Sequence, residues 1–295
     1  MIKDLNEITY SENHDHVPVI RFRPFDGIEW LNCGFSTRRG GVSTDCHESL
    51  NLGFERGDRC DNVIENFNRF AASAGFETGR MCLPSQWHTN NIRISGSETG
   101  VGDIRKYGEE KQKAGIPDPD QRIKNAVDGQ ITDEKGVVLI AYGADCTPVY
   151  IIDTAHRAIG LVHSGWKGTL NSISSDAIKL MNARYGTKAE DIIAVIGPSI
   201  SSDNYEVGLD VAEHFIKKHN IDVNENSAIV RSGLREGKYQ LDLWEANRRN
   251  LTDCGVRQEN IHISGLCTFR EKELFYSHRR DGNARGVMAA FACIT

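Results

Sequence analysis

The sequence has no run of apolar residues long enough to cross a bilayer, which takes about 20 residues in a helix. Its N-terminus, MIKDLNEITYSENHDH, is charged and polar and lacks a signal-peptide core. These two features make the cytoplasm the expected location. Positive charge is not in excess either: 35 Lys and Arg stand against 41 Asp and Glu, a net charge of −6. A nucleic-acid-binding chain usually carries a basic footprint, so neither nucleic acid nor membrane is an expected partner. The eight cysteines form no C-x-x-C pair and no repeated framework. In a reducing compartment they are expected as free thiols, at least six of the eight buried like small apolar residues. No repeat of fixed period occurs, which excludes a solenoid.

What is present is an ordinary globular composition, 39% apolar and 26% charged over 295 residues. That length buries a sizeable core, and a single domain over residues 1–295 is expected. VPVIRFRP and GIEWLNCGFSTR read as strands. In NVIENFNRFAASAGF, Val63, Phe67, Phe70 and Ala71 recur at helical spacing. Residues 97–126 are polar, carry Gly and Pro, and lack apolar periodicity. They are expected as an irregular insertion, either surface loop or lid. VVLIAYG, TPVYIID and AIGLVHSG read as three central strands, followed by a helix that ends at Gly186. The mixture, with a hairpin at its centre, points to an α+β fold.

The hairpin carries the chemistry. With Thr154 to Arg157 as a four-residue turn, Asp153 opposes Ala158, and Cys146 falls opposite Gly165. His163 then lies diagonal to Cys146 on one face, at a separation of roughly 7–8 Å. A register slip of one residue would put the two on opposite faces. Such a pair has three readings: core residues, a thiolate–imidazole nucleophile, or two metal ligands. The Ser-Gly-Trp-Lys-Gly after His163 exposes backbone at a helix start, where anions bind. His88, in the turn-prone QWHTNN, is a third candidate. His88, Cys146 and His163 together would leave a tetrahedral zinc one open position, as in catalytic zinc sites. Their spacing alone does not decide between the readings.

GFSTRRGGVS, SLNLG, GD followed by V-x-E-N, Q-x-H, ADCTPV, GLVHSGWKG, GPSI and YSHRRDG occur in this order. The ordered set resembles the laccase-domain family, also called polyphenol oxidase-like or purine nucleoside phosphorylase-like. That family includes the bacterial peptidoglycan editing factor. The resemblance runs from about residue 33 to the C-terminus. It implies a four-layer α/β/β/α sandwich of the cysteine-hydrolase-like toxin type, with zinc on His88, Cys146 and His163. It also implies purine nucleoside and phosphate as substrates: phosphorolysis of adenosine, inosine or methylthioadenosine, and adenosine deamination. The chain departs from the pattern at Trp87, Thr89, Ala284, the HSGWKG variant and the long 97–126 segment, which bear on pocket size and substrate.

Within that implied site, Arg38, Lys167 and one of Arg279 and Arg280 are candidates to hold phosphate. Only one of the adjacent arginines is counted, because neighbours on a strand face opposite ways. Asn51 is expected either to hydrogen-bond in the pocket or to cap its loop. Each charged candidate has a plain alternative as a solvated surface residue. Two further chemistries follow from the same residues. Copper-dependent polyphenol oxidation would use Cu2+, but the single H-x-H, His14-Asp-His16, is too few arranged ligands for a multicopper cluster. A Cys146 nucleophile with His163 as base would make a cysteine hydrolase or editing enzyme acting on a peptidoglycan precursor. A monomer or small homo-oligomer is expected.

Overall fold

A computed structural model describes residues 2–14, 17–115, 117–222 and 227–295. Asp15 and His16 of the H-x-H pair lie outside the described residues. The chain opens with four strands in antiparallel succession: β1 (Ile2–Asp4), β2 (Thr9–His14), β3 (Val17–Phe22) and β4 (Leu31–Ser36). Helix α1 (Cys60–Ala74) follows, then β5 (Met81–Cys82), β6 (Ile92–Ile94), α2 (Ile104–Ala114) and α3 (Pro119–Lys124). The centre holds β7 (Gly129–Thr132), β8 (Val138–Gly143), β9 (Thr147–Asp153) and β10 (Ala158–Ser164). Next come α4 (Trp166–Leu170), α5 (Ile173–Tyr185), β11 (Ile192–Ile196), β12 (Glu206–Gly208) and α6 (Leu209–His219). The chain ends with β13 (Val230–Ser232), β14 (Lys238–Leu241), α7 (Leu243–Asp253), β15 (Ile261–Ile263), α8 (His278–Asp281) and β16 (Met288–Ile294).

The fold is mixed α+β with three sheets. A seven-stranded sheet runs β1-β2-β3-β4-β16-β8-β5, a six-stranded one β15-β11-β9-β10-β7-β6, and a small one β12-β14-β13. The period of two along each strand sorts side chains between cores. From β9, Tyr150 and Ile152 pack with Phe35, Leu139 and Ala290 of the seven-stranded sheet. Val149 and Ile151, pointing the other way, pack with Ile173, Ala177 and Met181 of α5. Val63, Phe67 and Phe70 of α1 cover Val19, Ile140 and Phe291 on the far side of the seven-stranded sheet. Each such burial contributes roughly 1.5–3 kcal/mol. Tyr150 also links the sheets by donating its hydroxyl to Gly34 O at 2.7 Å.

The hairpin has the expected register, from Asp153↔Ala158 to Thr147↔Ser164. VLIAYG lies outside that hairpin's sheet: β8 pairs with β16 and β5. Only Ala144, Asp145 and Cys146 separate β8 from β9, and Asp145 turns the chain with a φ of 94°. Two expectations need correction. The segment expected to be irregular holds two helices, α2 and α3. Asp103 caps α2 by accepting from Arg105 N and Lys106 N, and Asp118 caps α3 likewise. The buried face of α2 is built from Ile104 and Gly108, with Tyr107 against Phe54. A Cβ at Gly108 would sit 2.4 Å from the Phe54 ring, so only glycine allows this approach. Second, four of the eight free cysteines, not six or more, are buried (Cys33, Cys82, Cys267 and Cys293); Cys60, Cys146 and Cys254 are half-buried and Cys46 is exposed.

Candidate metal centre

Two connections cross from the seven-stranded to the six-stranded sheet. One, between β5 and β6, carries His88; the other, between β8 and β9, carries Cys146. His163 comes from the C-terminal end of β10, beside the start of β9. The ligand atoms of His88, Cys146 and His163 all lie within 4.8 Å of one another. His163 is buried, Cys146 half-buried and His88 exposed. The two imidazole rings stand 4.9 Å apart, centre to centre.

Asp128, just before β7, organises this convergence and was not a sequence candidate. Its buried carboxylate takes five hydrogen bonds: Trp87 N, His88 N, Thr89 N, Thr89 Oγ1 and His163 Nδ1. The 2.9 Å bond to His163 Nδ1 leaves Nε2 as that ring's free donor atom. The three amide bonds hold the turn in which His88 adopts a φ of 59°, a left-handed conformation that costs a non-glycine residue about 1–2 kcal/mol. Burial opposes the Asp128 carboxylate, but the bonds from His163 and Thr89 prevail and lower its pKa.

The two histidines are tuned in opposite directions. Although His88 as a residue is exposed, desolvation of its ring on the cradle side, then repulsion from His163, lowers it to about 4, so the ring is neutral near pH 7. Burial also disfavours a charged His163, but Cys146 and Asp128 outweigh it and raise the group to about 10.

The donor set suits a borderline metal, one sulfur with two imidazoles. Space for it is left by Gly165, the residue opposite Cys146. A Cβ there would lie 2.7 Å from His88 Nδ1 and 3.0 Å from Cys146 Sγ. The φ of Gly165 is −64°, open to any residue, so the glycine serves the cradle and not the backbone.

The cradle opens on a cleft of about 340 Å³. His88, Cys146 and His163 line it together with Phe54, Trp87, Tyr107, Tyr142, Arg56, Lys111, Arg122 and Arg285. The 97–126 segment thus contributes a wall, and Arg122 of α3 lies 4.7 Å over the Trp87 ring.

The other sequence candidates lie elsewhere. Arg38 gives its guanidinium to Glu48 O and Lys272 O and stacks 4.5 Å over Tyr276. Asn51 is fully buried and brackets two loops, its Oδ1 accepting from Gly53 N and Val287 N. Lys167 is exposed beside Gly165, 5.5 Å over the Trp166 ring. Arg279 donates to Glu206 O and covers Tyr205, while Arg280 is tied inward to Thr268 O, Phe269 O and Phe275 O. Both lie on helix α8, not on a strand. None of these five lines the cleft. Asp145 turns away from Cys146 and fastens the loops behind the site, accepting from Thr268 Oγ1, Ser277 Oγ and Arg279 N.

Residues 32–295 match the family described as multi-copper polyphenol oxidoreductase laccase. The chain belongs to this family. Several relatives of this laccase-family chain bear the names of nucleoside enzymes. Purine nucleoside phosphorylase YlmD of Bacillus subtilis is 34% identical over 262 residues, 88% of this chain and 86% of that one. Adenosine deaminase RL5, from an unknown prokaryotic organism, is 31% identical over 258 residues, 87% of this chain and 90% of its own length. The crystal structure of YlmD from Geobacillus stearothermophilus shares the fold with a TM-score of 0.82 at 30% identity, covering 98% of this chain and 99% of that one.

Proposed function

We propose that this chain is a zinc-dependent enzyme of purine nucleosides, one that cleaves adenosine, inosine or methylthioadenosine with phosphate and deaminates adenosine. The observation that carries the reading is the convergence of His88, Cys146 and His163 at the wall of an aromatic, cationic cleft. The names of the relatives support it. His88, Cys146 and His163 would hold the ion, which when bound supplies Lewis acidity beside the cleft. Asp128 fixes the orientation of His163 and the path of the His88 turn. The faces of Phe54, Trp87, Tyr107 and Tyr142 offer stacking surface to a purine. In phosphorolysis the bond from C1′ to the base nitrogen breaks, a bond from C1′ to a phosphate oxygen forms, and the base leaves with a proton. In deamination water adds at C6 and ammonia leaves.

The setting belongs to the same proposal: one domain over residues 1–295, with 97–126 as an added wall of the cleft, and a four-layer α/β/β/α sandwich of the cysteine-hydrolase-like toxin type. The packing of helices outside two facing sheets supports the layering. A cytoplasmic monomer or small homo-oligomer, without nucleic-acid or membrane partners, agrees with the net charge of −6. No helix among the described residues is long and apolar enough to cross a membrane.

A second reading has its own observation. Cys146, His163 and Asp128 also have the connectivity of a nucleophile, a base and its orienting carboxylate. That order suits a cysteine hydrolase acting on a peptidoglycan precursor. Copper oxidation has less support. Among the described residues His88, Cys146 and His163 are the one group of three such donors, and a multicopper cluster takes many more imidazoles.

Incubation of the purified protein with adenosine, with and without phosphate, tests the proposal. Adenine with ribose 1-phosphate marks phosphorolysis, and inosine marks deamination. If adenosine stays intact under both conditions, the nucleoside reading fails.

A further inference from the structure

Arg285 has an unusual environment for an arginine. It is only 6% exposed, yet it lines the cleft. Its Nη1 donates to Gly286 O at 3.0 Å, while its buried Nε has no hydrogen-bond partner. No carboxylate forms an ion pair with it among the described residues. A buried guanidinium left short of partners is costly. Here a second cation makes matters worse: Arg56 lines the same cleft, and after burial itself its charge is the next largest influence lowering Arg285, to about 10. Arg56 is exposed and its guanidinium makes no hydrogen bond or ion pair among the described residues.

The loops that carry the two arginines are tied to each other. Asn51 Oδ1 accepts from both Gly53 N and Val287 N, and Leu52 N donates to Val287 O. This stitches the 51–56 turn to the 285–287 segment. Gly53 makes the approach possible, since a Cβ there would lie 2.9 Å from both Arg56 Cγ and Val287 Cγ2. Two guanidiniums that have no ion-pair partner among the described residues line the same cleft as His88, Cys146 and His163, a setting that favours an anion. Planar forks of this kind match tetrahedral oxyanions two bonds at a time.

We propose that Arg285 and Arg56 form the phosphate subsite of the cleft, in place of Arg38, Lys167 and Arg279. The ligand is a phosphate dianion, supplied either as free inorganic phosphate or as the ester group of a nucleoside monophosphate. The identification of phosphate rests on the nucleoside reading above; the anion site itself rests on the arginines.

Calorimetric titration of the purified, full-length protein with inorganic phosphate, in the absence of nucleoside, tests it. Arg285→Gln and Arg56→Gln are each expected to weaken phosphate binding at least about tenfold, as loss of a charge-assisted contact does. Arg285→Lys, which keeps the charge and loses the fork, is expected between wild type and Arg285→Gln. Lys167→Gln and Arg279→Gln are expected to bind phosphate as wild type does. Unchanged affinity in Arg56→Gln, or a loss that follows Lys167 or Arg279 instead, overturns the proposal. Because Arg56 is exposed, its variant carries the test even if Arg285→Gln fails to fold in a thermal scan. A parallel titration with adenosine 5′-monophosphate separates the sources. Tighter binding than inorganic phosphate through the same two arginines assigns the ester, and weaker binding assigns the free ion. Binding of neither ligand to wild type overturns the site. If phosphate binds but adenosine is not turned over, the nucleoside reading fails while the anion site stands.

Discussion

Gly165 and Asp128 decide what the three donors can do, although neither supplies a donor atom. Gly165→Ala adds one methyl at 2.7 Å from His88 Nδ1 without straining the backbone. The variant is expected to fold with the thermal midpoint of metal-free wild type and to purify with little zinc, measured by plasma mass spectrometry. Full zinc occupancy in this variant would show that the cradle lies elsewhere. Asp128→Asn weakens the orienting bond to His163 and the bonds to the His88 turn. Loss of such supporting contacts typically costs about 10–100-fold in metal affinity, which chelator competition reads directly. The place of Cys146 beside His163 was legible in the sequence, because the turn at Thr154 to Arg157 fixes the hairpin register, while His88 was placed with them only through the family resemblance. It did not disclose Asp128, which lies 40 residues from His88 and 35 from His163. No local spacing connects a carboxylate to partners so distant. Arg285 was hidden for a different reason: an unpaired guanidinium is recognisable only when its surroundings are known.

Strands and helices were legible where a period was strong. The face of α1 carries Val63, Phe67 and Phe70 at helical spacing, and all are buried. Helix α2 was not legible, because its buried face is one isoleucine, one half-buried tyrosine and a glycine that receives Phe54. The split of the central strands between two sheets was also hidden. Three residues separate β8 from β9, a length that suits a hairpin as well as a crossover. That crossover makes the contact between sheets important to the site. Tyr150→Phe removes the hydroxyl that reaches Gly34 O from the facing sheet. Leaving that carbonyl unpaired is expected to cost about 1–3 kcal/mol, measured by urea denaturation. An unchanged midpoint would mean that apolar packing alone joins the sheets.

The whole molecule carries a net charge of −6, yet the cleft is lined by four cations, Arg56, Lys111, Arg122 and Arg285, and one carboxylate, Glu55. Such segregation draws anions toward the metal cradle. Global stability is expected to depend on pH through His219, far from that cradle in α6. Burial, then the charges of Lys218 and Arg249, lowers it from the ordinary 6.5 to about 4. Between these values the unfolded chain takes up a proton that the folded chain refuses, so stability falls as pH drops from 6.5 to 4. His219→Leu should lack this component: urea titrations should show wild type gaining on the variant as pH rises through that window. A constant difference would contradict it. The central claim is that one sulfur and two imidazoles, brought from three distant segments, share a single ion. X-ray absorption at the zinc edge, on protein loaded with one equivalent of zinc, tests this most directly. The account predicts one sulfur and two imidazole nitrogens around the metal, with the sulfur lost in Cys146→Ser; a zinc environment of nitrogen and oxygen alone in the unsubstituted protein would contradict it.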